Sequence, residues 1–210
     1  MTDSWNLVAA GPSMERLCQF HFIPDAPVVT VNRAMLIAQR GLQVDFAAFA
    51  DGPAGAWELC GLEKAWKPEI VLWVSMRPVR TKGKLPGSDE EIDLPGPPLM
   101  RIWDRALPCS VGLRVLPYGD IEDEEHPGML RAAFTTFCAF RRILEYGPKK
   151  IRVLCMDMDG SWIPGKTAEE CHAHDMERNQ LDRWKHERTA MEKIIAKARG
   201  EAIVVELVTP

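Results

Sequence analysis

Short apolar runs that each stop at a glycine, proline, asparagine or aspartate constrain this chain more than any other feature. Residues 5–10 (WNLVAA) end at Gly11-Pro12-Ser13, residues 27–31 (PVVTV) at Asn32-Arg33, and residues 46–50 (FAAFA) at Asp51-Gly52-Pro53. Residues 70–74 (IVLWV) form a fourth run, and 151–156 (IRVLCM), the clearest, ends at Asp157-Met158-Asp159-Gly160. Residues 202–208 (AIVVELV) form the last. Runs that are apolar nearly throughout, without polar alternation, read as strands buried on both faces of a parallel sheet. Between them lie helix-like segments at 14–20, 34–39, 130–146 and 183–199. In the third, Ala133, Phe137, Phe140 and Leu144 recur at spacings of three or four before Gly147-Pro148, and Gly200 closes the fourth. Strand, turn and helix in succession predict an α/β fold: three layers, Rossmann-like, around a mostly parallel sheet.

Two stretches depart from this rhythm. Residues 76–129 are proline-rich and carry the acidic runs 88–91 (SDEE) and 122–125 (EDEE). They read as a loop-rich insertion at the sheet edge, with short strands at 99–103 and 114–116 as candidates. Residues 161–180 read as polar and irregular, and 160–186 as a small lid. At 210 residues the chain reads as one domain, 1–210, with that insertion and lid.

A formal net charge of −4 argues against a strongly basic nucleic-acid binder. Six cysteines with no CxxC pair, several inside apolar runs, suggest reduced thiols rather than a disulfide framework. The beginning, MTDSWNLVAAGPS, lacks the pattern of a signal peptide, and no apolar run approaches the roughly 18–20 residues of a membrane span. These features point to a cytoplasmic protein.

In parallel sheets ligands bind beyond the carboxyl ends of the strands, so the residues closing each run are the candidate site. Gly11 would let the backbone approach a phosphate, and Ser13 would cap the next helix and leave N–H groups for an anion. The same Gly-Pro-Ser also reads as a plain turn and cap; it matches neither G-x-x-x-x-G-K-[ST] nor G-x-G-x-x-G. Asp157 and Asp159 either hold Mg²⁺ or Mn²⁺ or accept hydrogen bonds from their own loop. Cys171, His172, His174 and Asp175 alternate in a segment that reads as a solvated lid rather than a zinc site. His186, early in the last helix, has the chemistry of a general base near neutral pH, although an isolated histidine is more often a surface residue. Trp162 and Trp184 flank the lid and could stack on a sugar or base. Trp57, Trp66, Trp73 and Trp103 read as packing residues. Arg141, Arg142, Lys149 and Lys150 read as a solvated face.

Taken in order, these residues resemble the bacterial sialyltransferases of glycosyltransferase family 42 and the related hydroxymethylpterin pyrophosphokinase-like family. The G-x-GPS(L) loop of both is matched by Val8-Ala9-Ala10-Gly11-Pro12-Ser13-Met14, and the asparagine ending the second strand by Val31-Asn32-Arg33. Phe49-Ala50-Asp51-Gly52 stands where the sialyltransferases have aromatic-x-Asn-Pro. Thr135-Thr136, Gly147 to Ile151 and Cys155-Met156-Asp157 follow in the family's order. The resemblance covers residues 5–52 and 130–208. It implies a glycosyltransferase A-type fold and a CMP- or UDP-type nucleotide-sugar donor lying across the strand ends. Gly11, Pro12, Ser13, Asn32, Asp51 and Thr135 would contact the donor. His186 would deprotonate an acceptor hydroxyl that attacks the anomeric carbon with inversion. The chain departs from the family at Ala10, at Asp51 and in lacking the tyrosines that steady the leaving phosphate, which leaves Lys166 or a metal on Asp157 and Asp159 for that task. The alternatives are an ATP- and Mg²⁺-dependent pterin-type pyrophosphokinase, favoured by the aspartate pair, and an inactive nucleotide-binding protein. The expected partners are a nucleotide sugar and a hydroxyl-bearing acceptor, nucleic acid being a remote acceptor, with a homo-oligomer as a further option. The compact size would also suit a phage-encoded enzyme.

Overall fold

A computed structural model describes residues 2–50, 67, 69–75, 78–84, 91–98, 101, 113–116, 120–122, 130–132, 134–177 and 181–210. Seven strands form one sheet: β1 (Ser4–Val8), β2 (Val28–Val31), β3 (Phe46–Phe49), β4 (Val71–Ser75), β7 (Leu113–Leu116), β10 (Lys150–Leu154) and β11 (Val204–Val208). Their order is β11-β10-β1-β2-β3-β4-β7, and each neighbouring pair is parallel. The continuous apolar runs therefore mean what they imply at the centre of the sheet, which is covered on both faces, while the edge strand β11 leaves Val204 and Leu207 exposed.

Alternation along each strand sends side chains to two cores. Val8, Val28, Ala47, Phe49, Leu72, Val74 and Leu154 face one side, where they pack on Met14, Leu17, Met35 and Ile37. Leu7, Val29, Val31, Ala48, Trp73, Ile151 and Val153 face the other. There α1 (Thr135–Leu144) covers them with Phe137 and Phe140, and α3 (Leu181–Gly200) with Met191 and Ile195. The result is the three-layer α/β arrangement expected of a Rossmann-like chain.

The first layer is built differently from the expectation of helices at 14–20 and 34–39. Pro12–Arg16, Gln19–His21 and Asn32–Arg40 are 3-10 helices. At about 2.0 Å per residue, this form covers the return path along a short strand with fewer residues than an α-helix. Arg40 ties two of them together: its guanidinium donates to the carbonyls of Met14 at 2.8 Å and Leu17 at 2.7 Å. Asn6, fully buried in β1, anchors the loop ahead of β2 by donating to Ile23 O at 3.1 Å and accepting from Ile23 N at 2.8 Å.

Three further expectations are corrected. Residues 76–129 are more than an edge insertion: β7 extends the main sheet through parallel pairing with β4, in line with the candidate strand at 114–116. On the way the chain forms the antiparallel pair β5 (Pro78–Lys84) and β6 (Glu91–Pro98). The candidate strand at 99–103 lies outside the described residues except for Arg101. The helix expected from 130 starts at Thr135, because β9 (Leu130–Ala132) pairs with β8 (Asp120–Glu122), and cross-strand hydrogen bonds replace helical ones there. Finally, 161–180 is not irregular throughout, since it contains α2 (Ala168–Glu177). Thr167 Oγ1 accepts from Glu170 N at 3.2 Å while Glu170 Oε2 accepts from Thr167 N at 2.8 Å, a reciprocal capping box that starts the helix.

Among the described residues, no helix is long and apolar enough to cross a membrane. Cys138, Cys155 and Cys171 are buried and Cys18 is half-buried. The basic residues set aside as a solvated face are engaged locally. Lys149 pairs with Asp3 at 2.7 Å and Lys150 with Glu206 at 2.6 Å, while Arg142 pairs with Glu145.

Candidate functional site

The chain runs outward from β1 through β2, β3 and β4, then returns to place β10 on the other side of β1. The strand order reverses there, so the loops after β1 and β10 diverge to opposite faces and leave a crevice. A cavity of about 460 Å³ occupies this crevice. Its walls include Ala9 to Gly11 after β1, Asn32 and Arg33 after β2, and Cys155 to Met158 after β10. Phe134 to Thr136 at the start of α1, Ser161, and residues of α2 and α3 complete it.

Gly11 holds the two central loops together. Its N–H donates to Cys155 O at 3.0 Å, and a Cβ at this position would lie 2.4 Å from both Cys155 O and Asp157 Oδ2. Its φ of −82° is open to any residue, so glycine is required here for space alone. Ser13 N donates to Asp157 Oδ2 at 2.7 Å. The expectation that this turn offers its N–H groups to a phosphate is therefore corrected. Gly11 N–H is committed to a carbonyl, Pro12 has none, and a carboxylate of the protein itself takes the place an anion would fill at Ser13. Nor does Ser13 cap the following helix, whose cap residue is Gly11 with no side-chain hydrogen bond. Pro12 and Ser13 are buried beside the cavity rather than among its lining residues.

The helix terminus that does reach the cavity is that of α1. Thr135 and Thr136 line the wall, and Phe134 at the cap provides no side-chain hydrogen bond to the first turn. The leading N–H groups of a ten-residue helix and two threonines thus stand at the cavity edge. Asn32 lines the neighbouring wall in the left-handed region, φ 50°, which its short amide side chain tolerates. Arg33 beside it donates to Trp162 O at 3.0 Å.

The opposite wall comes from α2 and α3. Asp175 is buried and accepts from Ser161 N at 2.6 Å through Oδ2, while its Oδ1 lies 3.6 Å from His174 Nδ1. Arg183, Trp184 and Glu187 form the α3 contribution. Arg183 Nε donates to Glu187 Oε1 at 2.7 Å. Burial pushes the Glu187 carboxyl above the ordinary glutamate range, although Arg183 pulls it down. Sequence reading singled out the adjacent His186 and missed Glu187. The signal was available in the apolar stripe of α3: Glu187 falls four residues before Met191 and eight before Ile195, on the buried face. His186 is exposed and is not among the cavity residues, so the structure does not bring it to the crevice.

Lys166 is likewise exposed and away from the cavity, and Asp51 lies outside the described residues. Trp162, expected to be open for stacking, is 3% exposed and packs in the core, with Nε1 donating to Glu15 Oε1 at 2.7 Å. Trp184 does reach the cavity.

Asp157 and Asp159 do not both line the cavity. Asp157 lines the cavity but commits Oδ2 to Ser13, whereas Asp159 is exposed and does not line it. Desolvation, then the charge of Asp157, raises the Asp159 carboxyl above its ordinary range. The backbone carbonyl of Asp159 accepts from His172 Nδ1 at 2.7 Å, which turns that imidazole toward the loop. Among the described residues no three His, Cys, Asp or Glu groups converge as metal ligands. Three cavity residues instead carry a buried polar atom without a hydrogen-bond partner among the described residues: Asp157 Oδ1, His174 Nδ1 and Trp184 Nε1. Such orphans are costly unless a ligand or water satisfies them. No protein-family model, curated protein or solved structure matches the chain.

Proposed function

We propose that the protein is an inverting, nucleotide-sugar-dependent glycosyltransferase that binds its donor in the crevice between β1 and β10. The observation that carries this reading is the cavity at the reversal of strand order, bounded by the uncapped start of α1. Helix N–H groups, threonine hydroxyls and the side chains of Arg33 and Arg183 supply donors for an anionic leaving group, and they offset the carboxylates of Asp157, Asp175 and Glu187 that share the wall. The indole of Trp184 supplies a flat apolar surface with one N–H donor, and Asp157 Oδ1 an acceptor, a combination suited to a sugar or base edge. The diphosphate or monophosphate is assigned to α1 rather than to the Gly-Pro-Ser turn, whose anion position Asp157 fills. Asp159 is exposed and is not among the cavity residues, which weakens the aspartate pair as support for an Mg²⁺-dependent pyrophosphokinase.

A thermal-shift panel of CMP, UDP, GDP, ATP and their sugar conjugates, with and without Mg²⁺, tests the reading. A ligand at about 100 times its Kd adds roughly 2.7 kcal/mol, which for a chain of this size raises Tm by roughly 5–10 °C. The expected result is a metal-independent rise with one nucleotide and its sugar conjugate. A rise only with ATP and Mg²⁺, or none at all, overturns it.

A further inference from the structure

Glu187 stands where the packing of α3 calls for an apolar side chain. Ala190, Met191, Ile195 and Ala198 continue the same buried side of the helix, each no more than 7% exposed, and Glu187 itself is 5% exposed. A carboxylate in such a stripe is expensive unless its oxygens are fully satisfied. Here Oε1 accepts one hydrogen bond, from Nε of an arginine that is itself 61% exposed. A single bond to a solvated guanidinium is poor compensation for burial, so packing gives no account of this residue. Its position at the cavity wall, one helical turn from Arg183, does.

We propose that Glu187 is the general base of the transfer reaction, an inference that rests on the transferase reading given above. The acceptor hydroxyl loses its proton to Glu187 Oε2 as its oxygen bonds to the anomeric carbon. The bond from that carbon to the nucleotide phosphate breaks, and its electron pair leaves on the phosphate oxygen. Arg183 holds Oε1 and so orients the carboxylate, acting as a positioning residue. Burial raises the carboxyl above its ordinary range, which makes it a stronger base than a solvated glutamate. The other charged or titratable groups of the cavity wall are Arg33, Cys155, Asp157, His174 and Asp175. His186, one residue away, points to solvent and takes no part.

The test is donor hydrolysis, with water as acceptor, by the full chain and by Glu187→Gln, Glu187→Asp and His186→Ala. The probes are CMP-N-acetylneuraminic acid, UDP-glucose and GDP-mannose. The expected result is that Glu187→Gln keeps the donor-induced thermal shift but loses about 10²–10⁴ in turnover. The acid limb of the kcat/KM profile should disappear with it, Glu187→Asp should restore part of the rate, and His186→Ala should match the parent. Unchanged turnover and an unchanged acid limb in Glu187→Gln overturn the assignment, as does a donor that binds but is not hydrolysed by the parent at any pH. Absence of a thermal shift with every donor instead overturns the transferase reading itself, so the two failures are distinguishable.

Discussion

Asp157 Oδ2 accepts the backbone N–H of Ser13 at 2.7 Å, joining loops 144 positions apart in the chain. The bond is charge-assisted and sits where β1 and β10 diverge, so it fixes the floor of the crevice. Asp157→Ala leaves the Ser13 N–H without its acceptor. A loss of about 1–3 kcal/mol is expected for that orphaned donor. For a chain of this length, Tm falls about 2–4 °C per kcal/mol. Asp157→Asn retains an oxygen acceptor and should lose less. Scanning calorimetry of the three proteins checks the order; equal Tm values would show that the bond contributes nothing.

Gly11→Ala addresses the same junction through space. The added methyl would meet a backbone carbonyl and the Asp157 carboxylate at 2.4 Å, and the carbonyl belongs to a strand end that cannot yield cheaply. Overpacking of this kind costs about 1–3 kcal/mol. Urea titration should give a lower midpoint with little change in slope. Retention of the parent midpoint would mean that the two loops are not in contact in solution.

The loop before α2 is pinned by a side chain from the other end of the chain. Glu15 Oε1 accepts from Trp162 Nε1 at 2.7 Å and from Gly165 N at 3.2 Å, while Ala10 O accepts from Trp162 N at 2.8 Å. Glu15→Ala removes two of these bonds and leaves a buried indole N–H without its partner. Amide hydrogen exchange across residues 161–177 should accelerate severalfold relative to β1 and β10, since local opening precedes global unfolding. Uniform acceleration across both regions would indicate a global effect instead.

The parallel sheet was legible because its strands are apolar without alternation, a pattern that buried parallel strands require and that edge or antiparallel strands do not. The crevice was legible for the same reason: Gly11, Asn32, Thr135 and Asp157 all close strands or open a helix at one end of the sheet. Other features were harder to read for physical reasons. β9 lies inside a good helical period and is decided by pairing with β8, a partner that local sequence does not name. α2 has almost no apolar stripe, so its start was visible only in Thr167-x-x-Glu170. His186 attracted attention by residue type, whereas Glu187 is set at the cavity by helix phase, and one step of about 100° separates the two.

Thiol reactivity follows the burial of each cysteine. Desolvation pushes the Cys155 thiol up to about 12 and raises that of Cys171, so neither forms appreciable thiolate near neutrality. Cys18 is half-buried, its Sγ 3.2 Å from His21 Nδ1. Iodoacetamide at pH 8 should therefore label Cys18 well before Cys155 and Cys171, which should react only on denaturation. Peptide mass spectrometry resolves the sites. Labelling of Cys155 in the native protein at the rate of Cys18 would contradict the packing described.

The burial of Glu187 has a sign that stability measurements can read. Its carboxyl is raised in the folded protein, so between the unfolded and folded values the native state holds the proton more tightly. Stability attributable to this group is fully present below the ordinary glutamate range and is lost as pH rises through the folded value. The charged carboxylate is thus a liability at neutral pH. Glu187→Gln keeps the shape and an acceptor for Arg183 but cannot titrate. Relative to this variant, the parent should gain stability as pH falls from 7 toward 4. Lys150, followed by Arg152, holds Glu206 below its ordinary range, which works in the opposite direction but equally in both proteins. The difference between the two urea-unfolding curves at each pH therefore isolates Glu187. A difference that stays constant across that interval would mean that the carboxylate is as well solvated in the folded protein as in the unfolded chain.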